Sequence, residues 1–188
     1  YTSMDENIGA LKNTGFEIDL KGTLIHTRDF MWRMGVNLTH YKNVVTDLPL
    51  KDMPVTGVTR LKEGRSVYDF YLREWAGVDP DNGDPLWYKN VKDEQGNITG
   101  RTTTNDYAQA DYYYVDKSSL PKVYGGFNTA FSYKGFELSA IFAYSIGGYI
   151  VDRDVTMLWS NGSNPGRAWS TEILKRWTPE NRYTDVPA

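Results

Sequence analysis

The chain has no cysteine and only two histidines in 188 residues, and no apolar run approaches the roughly 18 residues of a membrane-spanning helix. The lack of cysteine excludes disulfide staples and thiolate metal sites. Lysine and arginine number 21 against 24 acidic residues, with no basic cluster, so nucleic acid is not an expected partner. A catalytic constellation is missing as well. A glycosidase needs two carboxylates about 5–10 Å apart across a cleft, and no spacing here singles out such a pair. Asp79, Asp81 and Gly83 echo the opening of a calcium loop, but Asn90 stands where its closing glutamate belongs and Pro80 fits poorly. That stretch reads as a tight turn. The expectation is a chain that is not an enzyme and holds neither metal nor cofactor.

Aromatic residues are abundant: 14 tyrosines, 6 tryptophans and 7 phenylalanines. Many of them fall in two stretches where apolar and polar residues alternate, as they do when successive side chains point to opposite faces of a strand. The better stretch runs from Val123 to Tyr133, turns at Lys134-Gly135, and returns from Phe136 to Ile146. Pairing Tyr133 with Phe136 sets Phe131 opposite Leu138, Phe127 opposite Phe142 and Val123 opposite Ile146. That face is apolar apart from Thr129 and the small Gly125 and Ala140. The other carries Tyr124, Asn128, Ser132, Glu137, Ser139 and Ser145, interrupted by Ile141.

The earlier stretch repeats the pattern. Phe16, Ile18, Leu20 and Leu24 precede a turn at Thr27-Arg28-Asp29, and Phe30, Trp32, Met34, Val36 and Leu38 follow it. Pairing His26 with Phe30 sets Leu24 opposite Trp32, Leu20 opposite Val36 and Ile18 opposite Leu38, so both strands agree on the apolar face. His26 then lies by the turn and His40 at the far end, near Phe16, where they cannot share a ligand. Each strand is about ten residues or longer, against about five or six in a globular sheet. Two readings of this pattern stand side by side: the wall of an outer-membrane barrel, and a soluble antiparallel sheet with one face on a core.

Short turns and long loops alternate along the chain, which is the asymmetry of outer-membrane barrels. Thr46 to Arg65, with Pro49, Pro54, Gly57 and Gly64, reads as a loop. Ser66 to Val78 reads as a strand, Asp79 to Pro85 as a turn, and Leu86-Trp87-Tyr88 as the start of a returning strand. Asp93 to Asn97 caps a small hairpin. Either face of the Ser66–Val78 strand carries a charge, Arg73 or Glu74. A bulge, or a place near the membrane edge, would accommodate it. Trp169, Ile173 and Trp177 fall at helical spacing, with Ser170 as cap and Pro179 as stop, which predicts one short helix. Strand counting puts Thr46–Arg65, Lys89–Pro121 and Val151–Ala188 on one edge, and the turns at 27–29, 79–84 and 134–135 on the other.

Four ordered blocks carry a family resemblance. Phe70-Tyr71-Leu72-Arg73-Glu74-Trp75-Ala76-Gly77-Val78-Asp79-Pro80-Asp81-Asn82-Gly83-Asp84-Pro85-Leu86-Trp87-Tyr88 resembles the aromatic–Ala-Gly–aliphatic–Asp-Pro…Gly–small–Pro stretch of the SusC/RagA family, TonB-linked transporters of the Gram-negative outer membrane. Asn13-Thr14-Gly15-Phe16-Glu17 is similar to a strand start of that family. Leu120 to Phe127 with Tyr133 to Ser139 is similar to its Pro-Lys…Gly-Gly and Lys-Gly-Phe-x-Leu-Ser hairpin. Arg176-Trp177-Thr178-Pro179-Glu180-Asn181 is similar to its Arg-Trp-Thr-Pro-Glu-Asn loop.

The resemblance implies an all-β fold: an antiparallel transmembrane β-barrel segment with long extracellular loops and one short loop helix. Residues 1–188 would form part of a single TonB-dependent-receptor-type barrel domain, from its C-terminal third, with the plug and the remaining strands elsewhere. The implied function is wall and loop of an outer-membrane nutrient importer for oligosaccharides, peptides being possible cargo. The implied partners are a SusD-like surface lipoprotein lid, the TonB system acting through the plug, the substrate, and outer-membrane lipid. A soluble cell-surface β-sheet module that binds carbohydrate is the alternative.

Exposed rings stack on sugars, so Trp159, Trp169 and Tyr113 are the candidate substrate contacts. Structural roles compete with that reading. Trp169 is placed to anchor its helix, and the Tyr112–Tyr114 run to mark the membrane interface or the lid contact.

Overall fold

A computed structural model of the chain describes residues 9–51, 53–159 and 165–188. In chain order the strands are β1 (Ala10–His26), β2 (Phe30–Asp47), β3 (Val55–Thr56), β4 (Thr59–Arg60), β5 (Asp69–Arg73), β6 (Trp75–Val78), β7 (Pro85–Lys92), β8 (Ile98–Thr104), β9 (Tyr112–Ser118), β10 (Pro121–Tyr133) and β11 (Phe136–Gly147). One short α-helix, α1 (Arg153–Leu158), follows them. The described sheets have the orders β1-β2-β10-β11, β3-β4-β5-β9 and β6-β7-β8. Two compact units result, Tyr1–Phe70 with Asp116–Tyr149, and Tyr71–Val115 with Ile150–Ala188.

The first unit is dominated by its long sheet, whose strands have 17, 18, 13 and 12 residues. At about 3.3 Å per residue and a tilt near 45°, twelve or thirteen residues span about 30 Å, enough for a membrane's apolar band. The β10–β11 register is the one the alternation predicts, with Tyr133 on Phe136, Phe127 on Phe142 and Val123 on Ile146. Between β2 and β10, Trp32 meets Phe131, Val36 meets Phe127 and Leu38 meets Gly125. All four strands therefore turn most of their apolar residues to one face, Ile141 lying on the other. That face is uncovered: Phe136 is 81% exposed, Leu138 70% and Leu20 65%.

The polar groups on this face find partners within it. Trp32 Nε1 donates to Thr129 Oγ1 at 2.8 Å. The Tyr144 hydroxyl donates to the Asn37 carbonyl at 2.9 Å, reaching across β10 at Gly125. A Cβ at Gly125 would lie 2.1 Å from that carbonyl oxygen and 2.8 Å from the Tyr144 hydroxyl, so the crossing requires glycine. The opposite face carries an Arg33–Glu137 ion pair at 3.1 Å, Lys21 on Asp19 at 2.9 Å, and the Asn128 amide lying over Gly35.

Turn chemistry closes the hairpins. Lys134 and Gly135 both have positive φ, 45° and 90°, as a two-residue hairpin with the strands' own twist demands. At the other turn the Thr27 hydroxyl accepts from the Phe30 amide and donates to the Phe30 carbonyl. Where β2 ends, Asn43 is 4% exposed and fully engaged. Its amide donates to Asn13 Oδ1, and its own Oδ1 accepts from the Ser66 hydroxyl and the Val67 amide. This hub ties residues 64–67 to β2, aided by backbone bonds between Val45 and both Gly64 and Arg65.

Four sequence expectations are corrected. A β-bulge between Thr23 and Ile25 shifts the first hairpin's last register, so Ile25, not Leu24, faces Trp32 and Met31 faces His26. Leu20–Val36 and Ile18–Leu38 pair as expected. Ser66–Val78 is not one strand. It breaks at Glu74 into β5 and β6, which join different sheets. Because β2 pairs directly with β10, residues 48–120 form a single excursion that starts and ends at the sheet edge holding Asp47, Pro121 and Gly147. The 79–84 turn, read as a reversal between two strands of the same wall, belongs to that excursion and joins β6 to β7 of a separate sheet. Finally, the helix expected around Trp169–Trp177 is a five-residue 3-10 turn, Thr171–Lys175, capped by the Ser170 hydroxyl as expected, while the α-helix lies earlier at α1. Its signal was the Asp152 side chain accepting from the Val155 amide, a helix cap.

Candidate functional site

The second unit concentrates aromatic rings around two guanidinium groups. β6, β7 and β8 form a small meander, with Trp75 paired to Trp87, and Trp87 to Thr104. Asp93 shapes the β7–β8 turn by accepting from the amides of Gln95 and Asn97 and from the Asn97 side chain. These bonds hold its carboxyl below the usual range, the Asn97 side chain contributing most. Asp106 caps a 3-10 turn at Tyr107–Gln109, accepting from the Ala108 amide, which likewise lowers its pKa.

Rings converge on both faces of this meander. On one, Trp75 and Trp87 meet edge to face at 5.8 Å, and Trp87 and Tyr107 at 5.1 Å. Arg73 lies over the Tyr107 ring at 4.2 Å and the Tyr112 ring at 4.6 Å, and its Nε donates to the Ala110 carbonyl. Tyr112 in turn stacks on Tyr71 at 5.5 Å, with Tyr114 4.7 Å from Tyr71 on the same side. On the other, Arg101 lies over Tyr88 at 4.0 Å and Tyr113 at 4.2 Å, and pairs with Glu74 at 2.8 Å. The bond to Glu74 is the main cause of a raised Arg101 pKa. Each guanidinium is thus sandwiched between two tyrosines, an arrangement that fixes it electrostatically and sterically.

A second feature joins two of the sequence blocks. In the 79–84 turn, Asp79 accepts from the Asp81 amide and Asn82 from the Asp84 amide. Trp177 Nε1 and Arg182 Nε both donate to the Pro80 carbonyl, and Arg182 pairs with Asp81 at 2.9 Å. Gly83, at φ +81°, lies under the Trp177 ring, where a Cβ would come within 2.7 Å. The carboxylates that echoed a calcium loop are engaged in turn bonds and this clamp.

The sequence candidates separate. Tyr113 is half-buried, its hydroxyl donating to Asn90 Oδ1 and one ring face covered by Arg101. Trp159 closes α1 and is 41% exposed, and Trp169, 46% exposed, precedes the Ser170 cap. A Ser170 amide to Leu158 carbonyl bond brings the segments of these two tryptophans together. The paired guanidiniums were missed. The available signal was the density of aromatic residues around Arg73-Glu74 and Arg101, which alternation alone could not assign to contacts.

No family model matches the chain. TonB-dependent receptor P3 of Formosa agariphila is 28% identical over 199 residues, covering 99% of this chain and 20% of that protein. TonB-dependent receptor SusC of Bacteroides thetaiotaomicron is 28% identical over 161 residues, covering 78% of this chain and 15% of that protein. Its homologues are TonB-dependent receptors. Among solved structures, the RagAB peptide transporter superposes with a TM-score of 0.82 at 31% identity, over 97% of this chain and 20% of that one. The SusC/RagA resemblance of the four blocks and the antiparallel fold are thereby established, although the described residues close no barrel. The chain spans about 15–20% of the length of these receptor relatives.

Proposed function

We propose that this chain is wall and extracellular loop of a TonB-dependent outer-membrane importer of a Gram-negative bacterium, forming part of one barrel domain over residues 1–188. Its cargo is oligosaccharide, with peptide as the second class. The observation that carries the reading is the four-stranded sheet with one continuous apolar face, uncovered, on which Trp32, Thr129 and Tyr144 satisfy their polar groups within the sheet. A soluble carbohydrate-binding module would have to cover that face with a second layer; lipid covers it in the importer. The mixed-charge face with Arg33, Glu137, Asp19 and Lys21 then lines the lumen.

The excursions 48–120 and 148–188 leave the same sheet edge. Long loops face outward in outer-membrane barrels, so these meet substrate first, together with a SusD-like lipoprotein lid. TonB acts through the plug, and the segment itself performs no chemistry. Trp159 and Trp169, with exposed rings, serve as sugar contacts; Tyr113 contributes through its remaining free surface. Lipid-accessible labelling of single cysteines in the whole receptor tests the assignment. Positions 127, 131, 138 and 142 should be marked and 128, 139 and 37 spared. The reverse pattern would turn the wall inside out.

A further inference from the structure

The second unit holds two arginines in the same kind of tyrosine sandwich, but only one has its charge answered. Arg101 pairs with Glu74 at 2.8 Å. Arg73, lying over Tyr107 and Tyr112, gives its Nε to the carbonyl of the buried Ala110, and its two terminal nitrogens have no hydrogen-bond or ion-pair partner among the described residues. An ordinary surface arginine is mobile and loses side-chain entropy when it grips a ligand. Arg73 has already lost it. Two rings packed against it and a carbonyl on its Nε hold a planar fork in place, the geometry that matches a carboxylate with two parallel hydrogen bonds.

The neighbours indicate what carries the carboxylate. Tyr107, 52% exposed, covers the guanidinium, and Trp87, edge-on to both, links it to Trp75, 41% exposed, so two exposed rings lie beside the fork. Pyranose rings offer apolar C–H faces to such rings, while a uronate carboxylate projects from the ring edge toward a neighbouring donor. We propose that Arg73 anchors the carboxylate of an acidic oligosaccharide, with the exposed Tyr107 and Trp75 rings as sugar contacts beside it. The assignment rests on the importer reading, because only there do these loops meet substrate.

The test uses the full-length receptor in detergent and a panel of uronate-bearing oligosaccharides, each paired with its carboxyl-reduced twin, plus acidic and neutral peptides. Wild type should bind at least one uronate oligosaccharide over its twin, and Arg73→Gln should erase that preference, a loss of about tenfold or more for a charge-assisted fork. Arg73→Lys, which keeps charge without the fork, should fall between. Arg101→Gln should leave the preference intact, and protease resistance of each variant reports folding. Equal binding of both twins by wild type, a preference surviving Arg73→Gln, or a preference confined to acidic peptides would each overturn the proposal. Failure of the importer reading looks different: cells carrying the wild-type receptor would then show no TonB-dependent uptake of any panel member.

Discussion

The long sheet and the β6–β8 meander are both antiparallel and both rich in aromatic residues, yet their rings have opposite company. On the sheet's apolar face, Phe127 stacks on Phe142 at 4.4 Å and Trp32 on Phe131 at 5.4 Å, while Arg33 and Glu137 lie on the other side. In the meander, rings close on guanidinium groups at 4.0–4.6 Å. On the importer reading, the difference is one of solvent. A cation held against a lipid-facing ring would be stripped of water, whereas one beside a water-exposed ring gains attraction and keeps most of its hydration. Ring density alone therefore does not identify a membrane wall; the partner of the ring does.

The sharpest way to break the comparison is to put a cation where the sheet excludes it. Phe142→Arg, mid-strand on the apolar face, should destabilise the folded receptor in liposomes by about 2–4 kcal/mol, while Ser139→Arg on the opposite face should cost under about 1 kcal/mol. Denaturant titration measures both, and equal costs would mean that the faces do not differ in solvent. Next in size is Gly83→Ala, which forces a side chain into a positive-φ position and against Trp177. A loss of about 1–3 kcal/mol confined to the clamp is expected, read as faster amide exchange at residues 177–188 with the sheet unchanged.

A smaller effect sharpens the contrast within the meander. Removing Arg101 should cost about 1 kcal/mol, and a double-mutant cycle with Glu74→Gln should recover only part of it, because two ring contacts are lost as well. Full recovery would reduce the sandwich to a plain ion pair. The smallest effect is on pH. The lowered Asp93 pKa means its turn bonds stabilise the folded β7–β8 hairpin fully above the ordinary carboxylate pKa. That contribution fades as pH falls through the lowered value. Exchange at the Gln95 and Asn97 amides should therefore rise, beyond its intrinsic pH dependence, only in the acid range, and not in Asp93→Asn.

The long sheet was legible because its signal is local and periodic. Val123 to Ile146 determine their register by alternation, and the Lys134-Gly135 turn leaves no freedom to slip. Leu24 escaped because a bulge has no alternation signature. The strand expected at Ser66–Val78 has the right composition, but contacts distant in sequence override it: Arg73 is drawn to Tyr107 and Tyr112, and Glu74 to Arg101. With Trp87 assigned only to a returning strand, nothing local revealed that β2 and β10 are neighbours. The aromatic candidates suffered in the same way. Tyr113 was visible as part of a tyrosine run, but which face of it Arg101 would cover depends on β8.

The direct pairing of β2 with β10 reaches beyond this one chain. Their hydrogen bonds are specified by the two strands alone, so whatever joins them is free to change in length and content. Closing a longer connection adds only about 0.6 kcal/mol per doubling, and the present one is tied down near its two ends, by the Asn43 hub at residues 66–67 and by the Ser119 amide on the Tyr68 carbonyl. Residues 71–115, which belong to the second compact unit, are thus the part free to vary on a constant frame. A lineage can replace the chemistry carried on those residues wholesale by recombination within that stretch without relearning how to build the sheet.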